Sequence, residues 1–336
     1  MGKKIGKQTF EIANPPTIIS TGTVAGPFEG EGPLANDLDK IVGDTRDGQT
    51  TYEQGERSML TKACQLALDH ASRSASEVDL FLAGDLLNQI ISANFTAATL
   101  GIPFLGLYGA CSTAIEGLGL SAMLLDGGFL GAALIATSSH NSTAERQYRY
   151  PTEYGGQRRP YQQWTVTGAG AALLGYTGSG PKITAVTVGK VVDMGCKDPL
   201  NMGAAMAPAA ADTIAAYFSD TGWDPNSFDL ILTGDLGAVG VNLCQEELAE
   251  QGVKLGDKFN DCGLMIYDRQ NQDIHAGGSG CAASALVALG HIYKRLQKKE
   301  LQRILLVGTG SLHSTTTFMQ GENIPCIAHA VRIEGG

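Results

Sequence analysis

The chain is short of charge. Lys, Arg, Asp and Glu make up only 17% of its 336 residues, against roughly 25% in an average soluble protein. Basic residues are the scarcer kind, 24 against 34 acidic, for a formal net charge of -10. That balance argues against nucleic acid as a partner, since phosphate binding needs clustered Lys and Arg. It also disfavours unaided adhesion to anionic lipid. Long apolar runs are missing too. The nearest to the roughly 20 residues of a membrane span is Leu118 to Ser139, which Asp126, Gly127 and Gly128 interrupt. The N-terminus carries Lys3, Lys4 and Lys7, but no apolar signal core follows. The expectation is an intracellular protein with neither membrane segment nor signal peptide. The seven cysteines show no paired short spacings, which excludes a disulfide framework and the common zinc motifs. Gly178-Ser-Gly-Pro lacks the lysine of a phosphate-binding loop and reads as a turn.

What the chain has in abundance is glycine, 44 residues, beside 43% hydrophobic content. Low charge with many glycines describes a compact protein with tight turns, and the length suggests two domains. The sequence also repeats itself. Ser76-Glu-Val-Asp-Leu-Phe-Leu-Ala-Gly-Asp-Leu86 matches Asn226-Ser-Phe-Asp-Leu-Ile-Leu-Thr-Gly-Asp-Leu236. Each is a short apolar run ending in Gly-Asp-Leu, so a buried strand and a turn. Each follows a helical segment, Tyr52 to Ala71 and Ala207 to Thr221. Next, Gly109-Ala-Cys111 opens an apolar helix that leads to a strand, Gly131 to His140. Gly280-Cys281 opens a second such helix, which leads to a strand at Arg303 to His313. Strands near Ala169–Tyr176 and Ala328–Glu334 complete the copies. Apolar runs alternating with helices imply an α/β fold with parallel-rich sheets covered on both faces. The expected halves are residues 1–176 and 177–336, with a linker from Tyr176 to Asp198.

Cys111 is the first candidate site residue. At a helix N-terminus, free N–H groups and partial positive charge favour a thiolate and can hold an oxyanion or carboxylate. The alternative is a small residue in tight helix–strand packing. His275, in Ile-His-Ala-Gly-Gly-Ser-Gly, can act as a base toward Cys111 or donate to an anion; a surface hydrogen-bonding role is the alternative. His140 and His313 end equivalent strands, where open α/β sheets place ligands. Of these two, one is expected to be structural. Asp85 and Asn88 follow the first repeated strand, with turn capping as their alternative role. Arg158 and Arg159, in the loop from Gly155 to Trp164, can pair a dicarboxylate or an acidic surface. Asp85 and Asp193 fall well short of the six or more oxygens that calcium takes.

These motifs resemble the thiolase superfamily of thiolases and ketoacyl synthases. The matching stretches are Gly109-Ala-Cys-Ser-Thr-Ala-Ile-Glu-Gly, His275-Ala-Gly-Gly-Ser-Gly and Val307-Gly-Thr-Gly-Ser. The resemblance implies a layered, duplicated fold with Cys111 at the nucleophile position and Gly308 and Gly310 in the loop that floors the pocket. Two departures stand out. The late loop has no second cysteine, and the stretch between the two second-half motifs offers no convincing candidate for the second histidine or asparagine of the ketoacyl synthases. More narrowly, Gly84-Asp-Leu-Leu-Asn-Gln-Ile, Arg158-Arg-Pro-Tyr-Gln-Gln-Trp and Asp193-Met-Gly-Cys-Lys-Asp-Pro are similar to a stage V sporulation protein family of spore-forming Firmicutes. That resemblance implies a non-catalytic component of the channel that moves dipicolinic acid, with calcium, into the forespore and out again in germination. It would be peripheral at the spore inner membrane, held by integral membrane subunits. Its ligand would be dipicolinic acid or the calcium chelate, with no cofactor and no bound metal of its own. The implied ligand contacts are Cys111, His275, Asp85, Asn88, His140, Gly308 and Gly310. Both a homodimer, paired through a flat apolar strand of the first half, and a monomer are compatible with it. The alternative function is an active acyltransferase of thiolase or ketoacyl synthase type using Cys111.

Overall fold

The computed structural model describes residues 2–148 and 158–336; Gly155, Gly156 and Gln157 of the arginine-bearing loop fall outside them. In the first half, β1 (Thr17–Ala25), α1 (Tyr52–His70), β2 (Leu80–Gly84), α2 (Ile91–Leu100) and β3 (Phe104–Gly106) are followed by α3 (Thr113–Asp126), β4 (Ala132–Ser139), α4 (Asn141–Tyr148) and β5 (Gly168–Gly175). In the second half come β6 (Lys182–Thr187), α5 (Met202–Thr221), β7 (Leu230–Thr233), α6 (Gly237–Glu250), β8 (Phe259–Asp261) and α7 (Cys281–Leu286). Helix α7 continues through Val287–Ile292 to Gln297, and β9 (Arg303–Ser311), α8 (Thr315–Met319) and β10 (Cys326–Glu334) end the chain.

The strands lie in the order β8-β7-β9-β10-β6-β1-β5-β4-β2-β3, which reads as the same strand sequence from either end. Both ends are parallel, β2 with β3 and β4, β7 with β8 and β9. The inner pairs are antiparallel, including the narrow contact of β1 with β6 at Thr17 and Lys182. The expected linker therefore contains a central strand. β6 pairs through five positions with β10, and its counterpart β1 was equally unmarked by the apolar pattern. β1 is rich in Thr and Ser and β6 carries two Thr, yet β1 is almost wholly buried and β6 mostly so. Burial is tolerated because the hydroxyls are bonded: Ser20 Oγ donates to Ala67 O at 2.5 Å, and Thr9 and Thr187 hydroxyls pair at 2.9 Å. Helix α5 also begins earlier than expected, at Met202, with Pro208 inside it.

Three apolar cores separate the layers. One joins α1 and α2 to the first-half strands. Another joins α5 and α6 to the second-half strands. The third surrounds α3 and α7, which lie between the halves; α3 packs on β4 of its own half and on β10, β6 and β9 of the other. The α3 and α7 starts, and hence Cys111 and Cys281, are thereby brought to the centre of the molecule. Glu29 ties the halves together nearby. It is 1% exposed and accepts from Thr167 N at 2.9 Å and from the Tyr267 hydroxyl. Burial pushes its carboxyl up from 4.5 to about 7. Among the described residues no helix is long and apolar enough to cross a membrane.

Candidate functional site

Cys111 sits in a tight turn, Ala110–Ser112, that runs directly into α3. The turn is made by Ala110, a non-glycine residue at φ +50°. A left-handed alanine costs about 1–3 kcal/mol and persists only where neighbours fix it. The Ala110 carbonyl accepts from the Thr113 hydroxyl at 2.6 Å and, across the halves, from the Cys281 thiol at 3.1 Å. Beneath the turn runs β9. A Cβ on Gly310 would stand 2.2 Å from Gly109 O, and one on Gly308 would stand 2.8 Å from Ile115 Cβ. These two glycines permit close approach of strand to turn. They do not line the cavity above it, whereas the residues that follow, Ser311 to Thr316, do.

That cavity has a volume of about 540 Å³, within the roughly 300–1,000 Å³ of small-ligand sites. Cys111, 8% exposed, opens into it. Of the other residues singled out in the sequence, Asp85 and Asn88 are on its wall. Asp85 is 4% exposed and accepts from Leu87 N at 2.9 Å and Ala93 N at 2.8 Å, so it caps α2 while facing the cavity. The wall segment between, Gln89 and Ile90, holds two consecutive left-handed residues, φ +59° and +47°. Behind Asp85 lies Glu56, fully buried and bonded by the Ser138 and Thr143 hydroxyls at 3.0 Å each. Burial raises both carboxyls, and the charge of Asp85 raises Glu56 further.

The histidines divide differently. His275 is outside the cavity lining: its ring nitrogens engage Arg159 O at 2.9 Å and Asp273 Oδ1 at 3.0 Å. His140 is completely buried, with Nε2 on Thr45 O at 2.7 Å and Nδ1 accepting from Ser142 N at 3.1 Å. Burial holds it below the usual histidine range, as a neutral ring. Its strand-end counterpart His313 is the one on the cavity wall, with Nδ1 2.8 Å from Ser311 Oγ and its ring 5.2 Å from that of Tyr148. Tyr148, Tyr108 and Gln147 also line the wall; sequence patterning offered no signal for them. The Tyr148 hydroxyl donates to Leu86 O at 2.5 Å, and burial raises it far above the ordinary phenol value. Arg158 pairs with Asp273 at 2.7 Å and stacks 4.7 Å over Trp164. No lysine or arginine is among the described lining residues.

Asp235, the second copy of the repeated aspartate, is the other central group. It is 1% exposed. Its Oδ1 accepts from the Thr309 hydroxyl at 2.7 Å and its Oδ2 from Gly280 N at 2.8 Å. Hydrogen bonds from Cys111 and Ser279 also favour its ionised form, against burial, which raises its pKa overall. The repeated motif thus has two fates, one copy capping α2 beside the cavity and the other beside the Cys111 sulfur.

Comparison with known proteins is consistent with this architecture. Residues 6–334 match the family described as stage V sporulation protein AD. The chain is 48% identical over 332 residues to Stage V sporulation protein AD of Bacillus subtilis (strain 168), covering 99% of this chain and 98% of that one. Among solved structures, it resembles 3-oxoacyl-[acyl-carrier-protein] synthase III from Aquifex aeolicus VF5 at a TM-score of 0.57 and 15% identity, covering 95% and 99% of the two chains. Cerulenin-bound OleA of Xanthomonas campestris gives 0.60 and 16%, covering 96% and 98%. At such identities these two likenesses concern the fold, which is thiolase-like.

Proposed function

The chain belongs to the stage V sporulation protein AD family and serves sporulation, and we propose that it does so as a non-catalytic binding protein for dipicolinic acid, free or as its calcium chelate. The observation that carries this reading is the cavity at Cys111, lined by polar side chains, aromatic rings and aliphatic groups, with Asp85 the acidic residue among its described lining. Dipicolinate is a flat pyridine with two carboxylates. Tyr108 and Tyr148 offer faces for the ring, and Asn88, Gln147, Ser311 and Ser279 offer donors for the carboxylates. A site of acyl-thioester descent handles such a ligand readily, because donors arranged for an oxyanion also suit a carboxylate. The protein would act at the forespore and spore inner membrane, held by integral membrane subunits of the dipicolinate channel, in uptake during sporulation and release in germination. A second copy of the chain is a further expected partner. β3 is an edge strand whose neighbourhood exposes Phe95, Leu105 and Tyr108, and an apolar edge is a template for pairing.

Acyl transfer through Cys111 is the second reading, favoured by the fold of the condensing enzymes. Against it stands His275, the base expected toward Cys111, whose ring nitrogens engage Arg159 O and Asp273 outside the cavity lining. Two experiments decide. Dipicolinate titrations of the Asn88→Ala, Cys111→Ala and His313→Ala proteins should each show weakened binding; wild-type affinity in all three removes the cavity from the account. Incubation with acyl-CoA and mass spectrometry should leave Cys111 unmodified; stoichiometric acylation would establish the second reading.

A further inference from the structure

One wall of the cavity is held in a conformation that its own residues disfavour. Between β2 and α2 the chain passes through residues 85–90, which line the cavity. Gln89 and Ile90 are both left-handed, and Ile90 is β-branched, for which that region is an outlier. Such residues persist only where their surroundings over-determine them. Local bonds supply part of that constraint. Leu87 O accepts from Ile90 N at 2.9 Å, Gln89 O accepts from Asn94 Nδ2 at 2.8 Å, and Asp85 accepts from Leu87 N and Ala93 N. A further tie comes from a distant element. The Tyr148 hydroxyl, at the end of α4, donates to Leu86 O at 2.5 Å and accepts from Gln147 Nε2 at 3.1 Å. Helix α4 is a firm anchor for it, because Thr143 Oγ1 donates to Glu56 at 3.0 Å and Arg146 pairs with Glu53, both on α1. Asn88 stands between the tied carbonyl of Leu86 and the left-handed pair, exposed and on the cavity wall.

We propose that the Tyr148 hydroxyl is a positioning group: by holding the Leu86 carbonyl it fixes the strained segment 86–90, so that the Asn88 amide is set at the cavity before a ligand arrives. A polar group ordered in advance spares the ligand the cost of ordering it, and the amide can serve a ligand as donor or acceptor. The backbone strain is thus part of the binding site. The inference deepens the reading of this cavity as the dipicolinate site, and its first test uses no ligand, so a failure of the clamp and a failure to bind dipicolinate are separate results.

The first experiment is hydrogen–deuterium exchange of the ligand-free protein, wild type against Tyr148→Phe, which keeps the ring and removes the hydroxyl. Amides of the peptide spanning 85–94 should exchange about fivefold faster in the variant, the weight of one hydrogen bond. The peptide spanning 230–236, the equivalent turn of the other half, should be unchanged. If that peptide also speeds up, the fold has opened, and Tyr148→Leu, equally without a hydroxyl, repeats the test. Unchanged exchange over 85–94 overturns the proposal. The second experiment is a double-mutant cycle on dipicolinate affinity. Tyr148→Phe should bind about fivefold more weakly than wild type, yet add no further loss in the Asn88→Ala background. Losses that simply multiply would mean that the hydroxyl does not act through Asn88, and would overturn the positioning role.

Discussion

The thiol of Cys281 donates to the carbonyl of Ala110 at 3.1 Å, so the helix start of one half supports the turn that carries Cys111 in the other. The contact spans the pseudo-symmetric centre, and it holds an alanine in left-handed backbone at φ +50°. Cys281→Ala removes a fully buried donor and its volume and should cost about 1–3 kcal/mol of stability in urea unfolding. Ala110→Gly should act oppositely, gaining up to about 1 kcal/mol by releasing the strain. A loss of stability in Ala110→Gly would show that the left-handed turn carries no strain.

Gly310 permits the approach of β9 to the same turn. With a Cβ 2.2 Å from Gly109 O, backbone must shift rather than a flexible side chain. Gly310→Ala should destabilise by about 1–3 kcal/mol and should weaken ligand binding by displacing Cys111. Gly43→Ala, where a Cβ meets nothing within 4 Å, is the matched control and should leave both near wild type. Denaturant unfolding and calorimetry on the two variants check this directly.

His140 and His313 end equivalent strands but should separate in assay. His140→Ala empties a fully buried ring site and removes the ring's bonds to Thr45 O and Ser142 N, and should cost about 2–4 kcal/mol, while a folded sample retains ligand affinity. His313→Ala should lose affinity with little change in stability. The reverse pattern would assign the ligand contact to the buried ring.

Glu29 gives the protein a pH dependence of known sign. Its carboxyl ionises near 4.5 when unfolded but near 7 in the folded chain, because it is buried. Between those values the folded state holds the extra proton, so stability from this group falls as pH rises from about 4.5 to 7 and is level beyond. Glu29→Gln removes that dependence. Its stability relative to wild type should climb by about 3 kcal/mol across the window, measured by urea unfolding at a series of pH values. A constant difference would contradict the assignment.

The repeated elements were legible because apolar runs and Gly-Asp-Leu turns mark buried parallel strands, and the structure has them at Leu80–Gly84 and Leu230–Thr233. The central strands were not, because β1 and β6 bury Thr and Ser whose hydroxyls are satisfied by partners distant in sequence. At the site, Cys111, Asp85 and Asn88 could be read from motif and strand ends. Asp235 was written in the same repeat, yet a repeat cannot say which copy faces the cysteine, since that depends on how the halves pack. The Gly-rich turn after His275 was legible as a turn, but its direction was not. The backbone there is left-handed and the ring turns to Arg159 and Asp273. Tyr148 had no periodic signal at all, because its place on the wall comes from α4 folding back over Leu86.

The most direct test of the account is calorimetric titration of the folded protein with pyridine-2,6-dicarboxylate, with and without calcium, against the 3,5-isomer. The account predicts saturable binding of the 2,6-isomer, selective over the 3,5-isomer and weakened in the Asn88→Ala and His313→Ala proteins. No binding, or equal binding of both isomers, would contradict it.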